Sequence, residues 1–124
     1  MGTRGQIHIF ETNVYLYQHW DSYDLPNIVK RAISKKERWC DTEYLTRIIF
    51  SEMIKDSINE TIGYGIGNQI HGDIEYLITI FTGGKTQYIK VQKNISEFDN
   101  NIESWLTLFD GTFEEFLKDK QEEW

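Results

Sequence analysis

The stretch "GQIHIFETNVYLYQHW", residues 5–20, decides the fold, because its side chains alternate as they do in two β-strands joined by a tight turn. With Thr12-Asn13 as a two-residue turn, Ile9 lies opposite Leu16 and the side chains sort onto two faces. A register shifted by one residue would mix polar and apolar side chains on both faces, so we favour the register that sorts them. The apolar face then holds Ile7, Ile9, Val14 and Leu16, and the polar face holds Arg4, Gln6, His8, Phe10, Tyr15, Tyr17, His19 and Asp21.

Two amphipathic helices are predicted after this hairpin. Pro26 suits a first helical turn, and apolar residues recur every three to four positions through Ile33. Asp41 or Thr42 then caps a second helix that extends to about Asn59. The two apolar faces consist of Leu25, Ile28, Val29, Ala32 and Ile33, and of Leu45, Ile48, Ile49 and Met53.

A second hairpin follows the glycine-rich residues 63–72, which predict a loop or a strand broken by glycines. Residues 73–81 and 86–93 alternate as strands around a turn at Gly83-Gly84, which places Ile78 opposite Ile89. The other face of this hairpin is half apolar, so we expect the C-terminal helix or a partner to cover part of it. The predicted core face holds Ile74, Tyr76, Ile78, Ile80, Ile89 and Val91.

The C-terminal residues 96–124 predict a helical segment. Ile102, Trp105, Leu106 and Phe109 form one apolar stripe, and a capping box at Thr112 restarts the helix after Gly111. The order of elements indicates an α+β fold in a single domain over residues 1–124. We predict one antiparallel, or mixed, sheet of four to five strands packed with about three helices.

The net charge of −7 arises entirely in the C-terminal segment. Residues 1–95 hold 11 acidic and 11 basic residues, whereas residues 96–124 hold 9 acidic and 2 basic ones. This excess disfavours direct nucleic-acid binding through the segment and suits either a basic partner surface or plain solubility. The candidate acidic partner face consists of Glu103, Asp110, Glu114, Glu115 and Asp119.

Cysteine content and hydropathy indicate a cytoplasmic protein. Cys40 is the one cysteine, so no internal disulfide forms and a reducing compartment is expected. We predict it to be a small buried thiol. The sequence predicts neither a signal peptide nor a membrane span.

The polar face of the first hairpin carries the candidate site: Arg4, His8, Tyr17, His19 and Asp21. Histidine is suited to proton transfer near neutral pH, and arginine to binding a phosphate or carboxylate. A solvated sheet face, a ligand or partner surface and a catalytic site all remain open. No ligand spacing supports a metal, and we predict no cofactor.

The N-terminal motifs resemble those of a family of small, mostly uncharacterised proteins of phages, archaeal viruses and prokaryotic genomes. The resemblance lies in Met1-Gly2-Thr3-Arg4, in the Tyr-x-His-Trp-Asp-x-Tyr pattern of residues 17–23, and in Gly-Asp-Ile-Glu-Tyr at 72–76. Ser22 departs from the glycine common in the family, and Pro26 is shifted from its usual place. The resemblance implies a viral or mobile-element accessory protein and points to Arg4, His19, Asp21 and Tyr23.

Three hypotheses for function follow. The leading one is a non-enzymatic accessory protein that binds a host protein, with inhibition of host defence as the expected consequence. The alternative is a protein that binds a nucleotide or cleaves a phosphodiester through the Arg4, His8, His19 and Asp21 cluster. The third is a structural module that forms homo-oligomers through the mixed face of the second hairpin.

Overall fold

The structure, a computed structural model, describes residues 3–95 and 104–124. Within these residues, three α-helices and a single six-stranded sheet of order β3-β2-β1-β4-β5-β6 form the fold. The strands are β1 (Gly5–Ile9), β2 (Val14–Gln18), β3 (Tyr64–Gly67), β4 (Tyr76–Phe81), β5 (Tyr88–Asn94) and β6 (Trp105–Thr112). The helices are α1 (Leu25–Ile33), α2 (Thr42–Ile54) and α3 (Phe113–Lys118).

The predicted α+β class is confirmed, but the sheet is larger than predicted and mixed. β1 pairs parallel with β4, and the other neighbouring strands are antiparallel. β3 is the glycine-broken strand that was one of the two alternatives for residues 63–72. The strand beyond the predicted number is β6, so the helix predicted through residues 105–112 is wrong. Trp105, Thr107 and Phe109 suit a pleated surface, and pairing along β5 satisfies backbone groups that a short helix would leave partly open.

Both hairpins have the predicted faces, but their registers differ from the prediction by two residues. Ile9 pairs with Val14, and Ile78 pairs with Val91, so the loops span residues 10–13 and 82–87. A shift of two residues leaves every side chain on its own face, which is why alternation could not detect it. The two loops are tied together by Glu11. Its carboxylate accepts hydrogen bonds from the amides of Thr82 and Gly83, both at 2.9 Å.

All three helices pack on one face of the sheet. α1 is confirmed with its whole apolar stripe buried, whereas α2 ends at Ile54, before the predicted Asn59. Phe113 and Phe116 of α3 are 1% and 0% exposed in the same core. α3 therefore does not cover the second face of the second hairpin, contrary to the expectation for the C-terminal helix. Cys40 is exposed, which corrects the prediction of a buried thiol.

The opposite face of the sheet is crossed by the loop that connects β3 to β4. These two strands are parallel to each other but separated by β2 and β1. Gly67 is level with Thr79, so the chain must travel about 14 Å across and about 10 Å along the sheet to reach Tyr76. Eight residues can extend over about 29 Å, so this crossover loop makes the connection without a helix and lies diagonally over β2 and β1.

None of the helices in residues 3–95 and 104–124 is both long and apolar enough to cross a bilayer.

Replacing Glu11 with glutamine should reduce the free energy of unfolding by about 1 kcal/mol at pH 7, because charge-assisted hydrogen bonds are lost. Burial alone would raise the pKa of Glu11, but hydrogen bonds from Thr82 and Gly83 outweigh it and hold that pKa below its ordinary value. A carboxyl with a lowered folded-state pKa stabilises above its unfolded pKa, and this contribution is lost as the pH falls through the folded pKa. Urea unfolding curves of the two proteins should therefore differ at pH 7 and converge below about pH 4.

The matched control for this comparison is Glu60→Gln, at an exposed position after α2. It should leave the urea midpoint unchanged at both pH values. An equal loss in the two variants would mean that general charge, and not the Glu11 contacts, determines the effect.

Candidate ligand-binding site at the strand ends

The crossover loop is held on the sheet by the side chain of Gln6. This residue is only 1% exposed, and its carboxamide makes two hydrogen bonds to the loop backbone. Nε2 donates to the carbonyl of Gln69 at 3.1 Å, and Oε1 accepts from the amide of His71 at 2.9 Å. At the start of the loop, Asn13 donates to the carbonyl of Asn68. The loop thereby brings its own side chains over the ends of β1 and β2.

Arg4, Tyr17 and His19, which the sequence placed on one face of the hairpin, meet at one nitrogen. Arg4 Nε donates to Nδ1 of His19 at 3.3 Å, and the Tyr17 hydroxyl lies 2.9 Å from the same atom. A guanidinium is always a donor, so Nδ1 must be the acceptor, and the neutral imidazole then carries its proton on Nε2. His19 is left with an N–H donor on the side away from Arg4.

Two residues of the crossover loop complete this strand-end cluster, which we define as Arg4, Tyr17, His19, His71 and Asp73. The Tyr17 and His71 rings stack with centroids 4.5 Å apart, and Asp73 forms a 3.3 Å ion pair with Arg4. Burial first, and then the Asp73 charge, raise the pKa of Tyr17, against an opposing effect of Arg4. The phenol therefore remains protonated at neutral pH and donates to His19.

The remaining predicted site residues lie elsewhere. His8 stacks on Tyr15 with centroids 4.1 Å apart and is 3.0 Å from Oδ1 of Asn13. Asp21 does not pair with Arg4. Because β2 ends at Gln18 and Asp21 has a φ of 56°, the alternation stops before this residue. Its carboxylate instead accepts a 3.4 Å hydrogen bond from the hydroxyl of Tyr23.

Asp73 was not among the predicted site residues, and His71 was predicted as a loop residue with only a small chance of joining the cluster. The Gly-Asp-Ile-Glu-Tyr motif at 72–76 contained Asp73, but nothing in a single sequence places that motif over β1. The loop crosses β2 and β1 because these two strands lie between β3 and β4 in the sheet.

A cavity of about 220 Å³ adjoins the strand-end cluster. Trp20 forms one wall, and its ring lies edge-on to His19 with centroids 5.0 Å apart. The floor depends on Gly63, whose φ is +96° and where an added Cβ would lie 2.4 Å from Cζ3 of Trp20. The lining consists of Tyr17, His19, Trp20, Ile62, Gly63 and Tyr64.

The predicted acidic partner face does not form one face of a helix. Glu103 lies outside the described residues. Asp110 is on β6 opposite Lys90, while Glu115 accepts from the Thr112 amide in a capping box. Asp119 accepts from the amide of Gln121. The capping box predicted at Thr112 is confirmed, but it uses one of the carboxylates assigned to a partner.

Within the described parts of the chain, no group of three or more histidine, cysteine, aspartate or glutamate residues could hold a metal ion.

Comparisons with protein-family models, with curated proteins and with solved structures found no match to this chain.

Replacing Gly63 with alanine should destabilise the protein by roughly 1–2 kcal/mol and displace Trp20, because alanine is strained at positive φ and its Cβ would overlap the indole. Thermal unfolding and the near-ultraviolet circular dichroism of the tryptophans would measure both effects. The control is Gly67→Ala at the far end of β3, where an added Cβ meets nothing within 4 Å. Equal behaviour of the two variants would contradict the packing of Trp20 on Gly63.

Proposed function

We propose that this protein binds a small phosphorylated ligand of the nucleotide class at the strand-end cluster. The observation that carries the proposal is the contact of Arg4 with Nδ1 of His19, which holds a guanidinium next to an imidazole that itself lines the cavity. Both groups are donors suited to phosphate oxygens.

The charge balance of the cluster supports an anionic ligand. Arg4 is 38% exposed on its side chain, so its guanidinium remains accessible while Asp73 holds it in place. Asp73 contacts one terminal nitrogen, and His19 contacts Nε. The other terminal nitrogen is then available for a bidentate interaction together with His19 Nε2.

The aromatic residues support a nucleoside on the same ligand. Trp20 is 42% exposed and forms a wall of the cavity, where a base could stack on it. The volume of about 220 Å³ is below that of a complete ligand pocket, so part of the ligand would extend over the open sheet face.

Binding is favoured over catalysis by the occupancy of His19. Its Nδ1 already accepts from Arg4 and contacts the Tyr17 hydroxyl, which leaves one nitrogen for chemistry. His8, the second predicted histidine of the cluster, has other partners. In the accessory role that the family resemblance implies, the protein would sequester a nucleotide in the cytoplasm of a host cell.

The test is isothermal titration of the protein with ATP, a cyclic dinucleotide, adenosine and inorganic phosphate. We expect binding of a phosphorylated nucleoside, and a loss of about ten- to a hundredfold in affinity for Arg4→Ala and for His19→Ala, since each removes a charged or oriented donor. The matched control is His8→Ala, on the same sheet face but outside the cluster, which should bind as the wild type does.

Three results would decide against this proposal. One is the absence of binding to all four probes, and another is equal affinity in the cluster variants and the His8 control. A third is cleavage of the nucleotide that disappears in His19→Ala, which would establish the phosphodiester-cleaving alternative. Circular dichroism of each variant would verify that it is folded.

A second candidate function is binding of a host protein through the acidic C-terminal residues. It is favoured by the charge of residues 104–124, which carry six carboxylates against two lysines. Glu114, Glu122 and Glu123 are exposed, and unlike Glu115 they have no part in the capping box. Truncation would not test this function, because Phe113 and Phe116 belong to the core.

For this candidate, a variant combining Glu114→Gln, Glu122→Gln and Glu123→Gln should lose a host protein that the wild type retains in a pull-down. Association should also slow as salt is raised, because exposed charges are screened. The control combines Glu37→Gln, Glu43→Gln and Glu60→Gln, three exposed positions elsewhere. Equal retention by both triple variants would refute an acidic docking face.

A further inference from the structure

The free edge of the sheet at β3 is accompanied by exposed isoleucines. Within the described residues, β3 pairs with β2 on one side and with no strand on the other. Ile58, Ile62, Ile66 and Ile70 are each between 49% and 71% exposed, and they follow one another closely in the sequence. Single exposed apolar residues are common on protein surfaces, but several grouped at one edge are typical of an interaction surface.

The same segment lacks the features that usually protect a strand edge. Residues 61–72 contain no Asp, Glu, Lys or Arg, although 27% of the chain is charged. Native proteins discourage edge-to-edge pairing with lysine, proline, a bulge or a short strand, and β3 has only its short length of four residues. A partner held by ion pairs would find no opposite charge in this segment, so the edge suits a neutral, apolar one.

The backbone of β3 presents four hydrogen-bonding groups to this edge. The amide of His19 donates to the carbonyl of Gly63 at 2.8 Å, so these two residues form a hydrogen-bonded pair of the antiparallel ladder. Hydrogen-bonded and non-hydrogen-bonded pairs alternate along such a ladder. Tyr64 and Ile66 therefore turn their amides and carbonyls away from β2, whereas those of Gly65 point toward β2.

The four outward groups are complementary to themselves about a two-fold axis. When a second β3 lies antiparallel with Gly65 opposite Gly65, Tyr64 of each copy lies opposite Ile66 of the other, and four hydrogen bonds form. The Tyr64 and Ile66 side chains share the helix side of the sheet, because Ile66 aligns with the buried Leu16. An aromatic residue opposite a β-branched one is a favourable cross-strand pair, and Tyr64 already packs against the core.

We propose that β3 pairs with β3 of a second copy of this chain, so that the two sheets join into one continuous sheet. The register is the one centred on Gly65, because it alone pairs all four outward groups of the strand with those of the other copy. This surface does not use Arg4 or His19, so the proposal goes beyond nucleotide binding and does not depend on it.

The distribution of charge favours a second copy at β3 over one at β6. The acidic C-terminal residues begin on β6 with Asp110, at the opposite edge and about 24 Å from β3. In the proposed dimer the two β6 strands lie at the outer ends of the joined sheet. Their separation exceeds the ~8 Å over which charges interact at physiological salt, so the acidic strands do not repel each other.

The first test is sedimentation velocity over a concentration series that spans the micromolar range. Four hydrogen bonds and a small set of isoleucines make an interface at the lower end of the specific ones. We therefore expect a reversible equilibrium between monomer and dimer, with a dissociation constant in the micromolar range.

Two substitutions at Ile66 test the edge. Ile66→Lys places a charge opposite Tyr64 of the other copy and should raise the dissociation constant about tenfold or more. Ile66→Pro removes an amide that points away from β2, so it should abolish the dimer without removing a bond of the sheet. The matched control is Leu106→Lys, an exposed apolar residue on β6, which should leave the dissociation constant within about twofold.

A cysteine on the two-fold axis tests the register. With the exposed Cys40 replaced by serine, Gly65→Cys should give disulfide-linked dimers on mild oxidation, because residues opposite each other in a non-hydrogen-bonded pair have Cα atoms about 4.5 Å apart. The matched control is Gly67→Cys in the same background, whose two copies would lie about 14 Å apart along the strands. An added Cβ meets nothing closer than 4.0 Å at either position, so both variants should fold. Gels run without reductant would measure the rate of cross-linking.

A dimer that Ile66→Lys and Ile66→Pro abolish, and that Gly65→Cys traps, supports the proposal. Sedimentation as a monomer at every concentration overturns it and would leave the β3 edge to a strand of another protein. Equal effects of Ile66→Lys and Leu106→Lys also overturn it, as do equal rates of cross-linking in the two cysteine variants.

Discussion

The side-chain amide of Gln6 is the interaction on which the candidate site depends. β1 lies between an antiparallel and a parallel neighbour, so the chain must cross two strands between β3 and β4. Eight residues are enough for that path but too few for the helix that parallel connections usually contain. Gln6 satisfies two backbone groups of the loop in a place that water cannot reach freely. As a result, His71 lies against Tyr17, and Asp73 lies against Arg4. Gln6 thereby positions the cluster without contributing a functional group to it.

Trp20 lies between two cavities. Its indole packs against Gly63 closely enough to exclude a Cβ, and it is part of the lining of both cavities. Tyr17 and His19 line one of them, and Gln18, Asp21 and Asp24 line the other. A displacement of Trp20 in one cavity would therefore change a wall of the other.

The acidic C-terminal residues are part of the folded domain and not an appendage. Trp124 donates to Asn27 of α1 at 3.0 Å, and the Tyr76 hydroxyl donates to the carbonyl of Trp124 at 2.7 Å. The Lys30 ammonium lies 4.9 Å from the centre of the Phe116 ring. Burial of Phe113 and Phe116 anchors the segment, and its carboxylates remain at the surface because charged groups are costly to bury. Any partner of these charges would meet a rigid surface that includes β6.

Periodicity alone determined the α+β class, α1, the two faces of each hairpin and the meeting of Arg4, Tyr17 and His19, because apolar spacing reports which side of an element is buried. It could not determine hairpin registers, since a shift of two residues preserves both faces and the Glu11 contacts to Thr82 and Gly83 come from distant sequence. Nor could periodicity distinguish a strand from a helix at residues 105–112. That segment forms a strand because it pairs with the otherwise free edge of β5. Asp21 lies outside the predicted cluster because the chain turns after β2, with a φ of 56° at Asp21. Asp73 belongs to the cluster because the parallel pairing of β1 with β4 takes the crossover loop over β1. Both positions depend on the path of the chain after a strand, which only the tertiary structure determines.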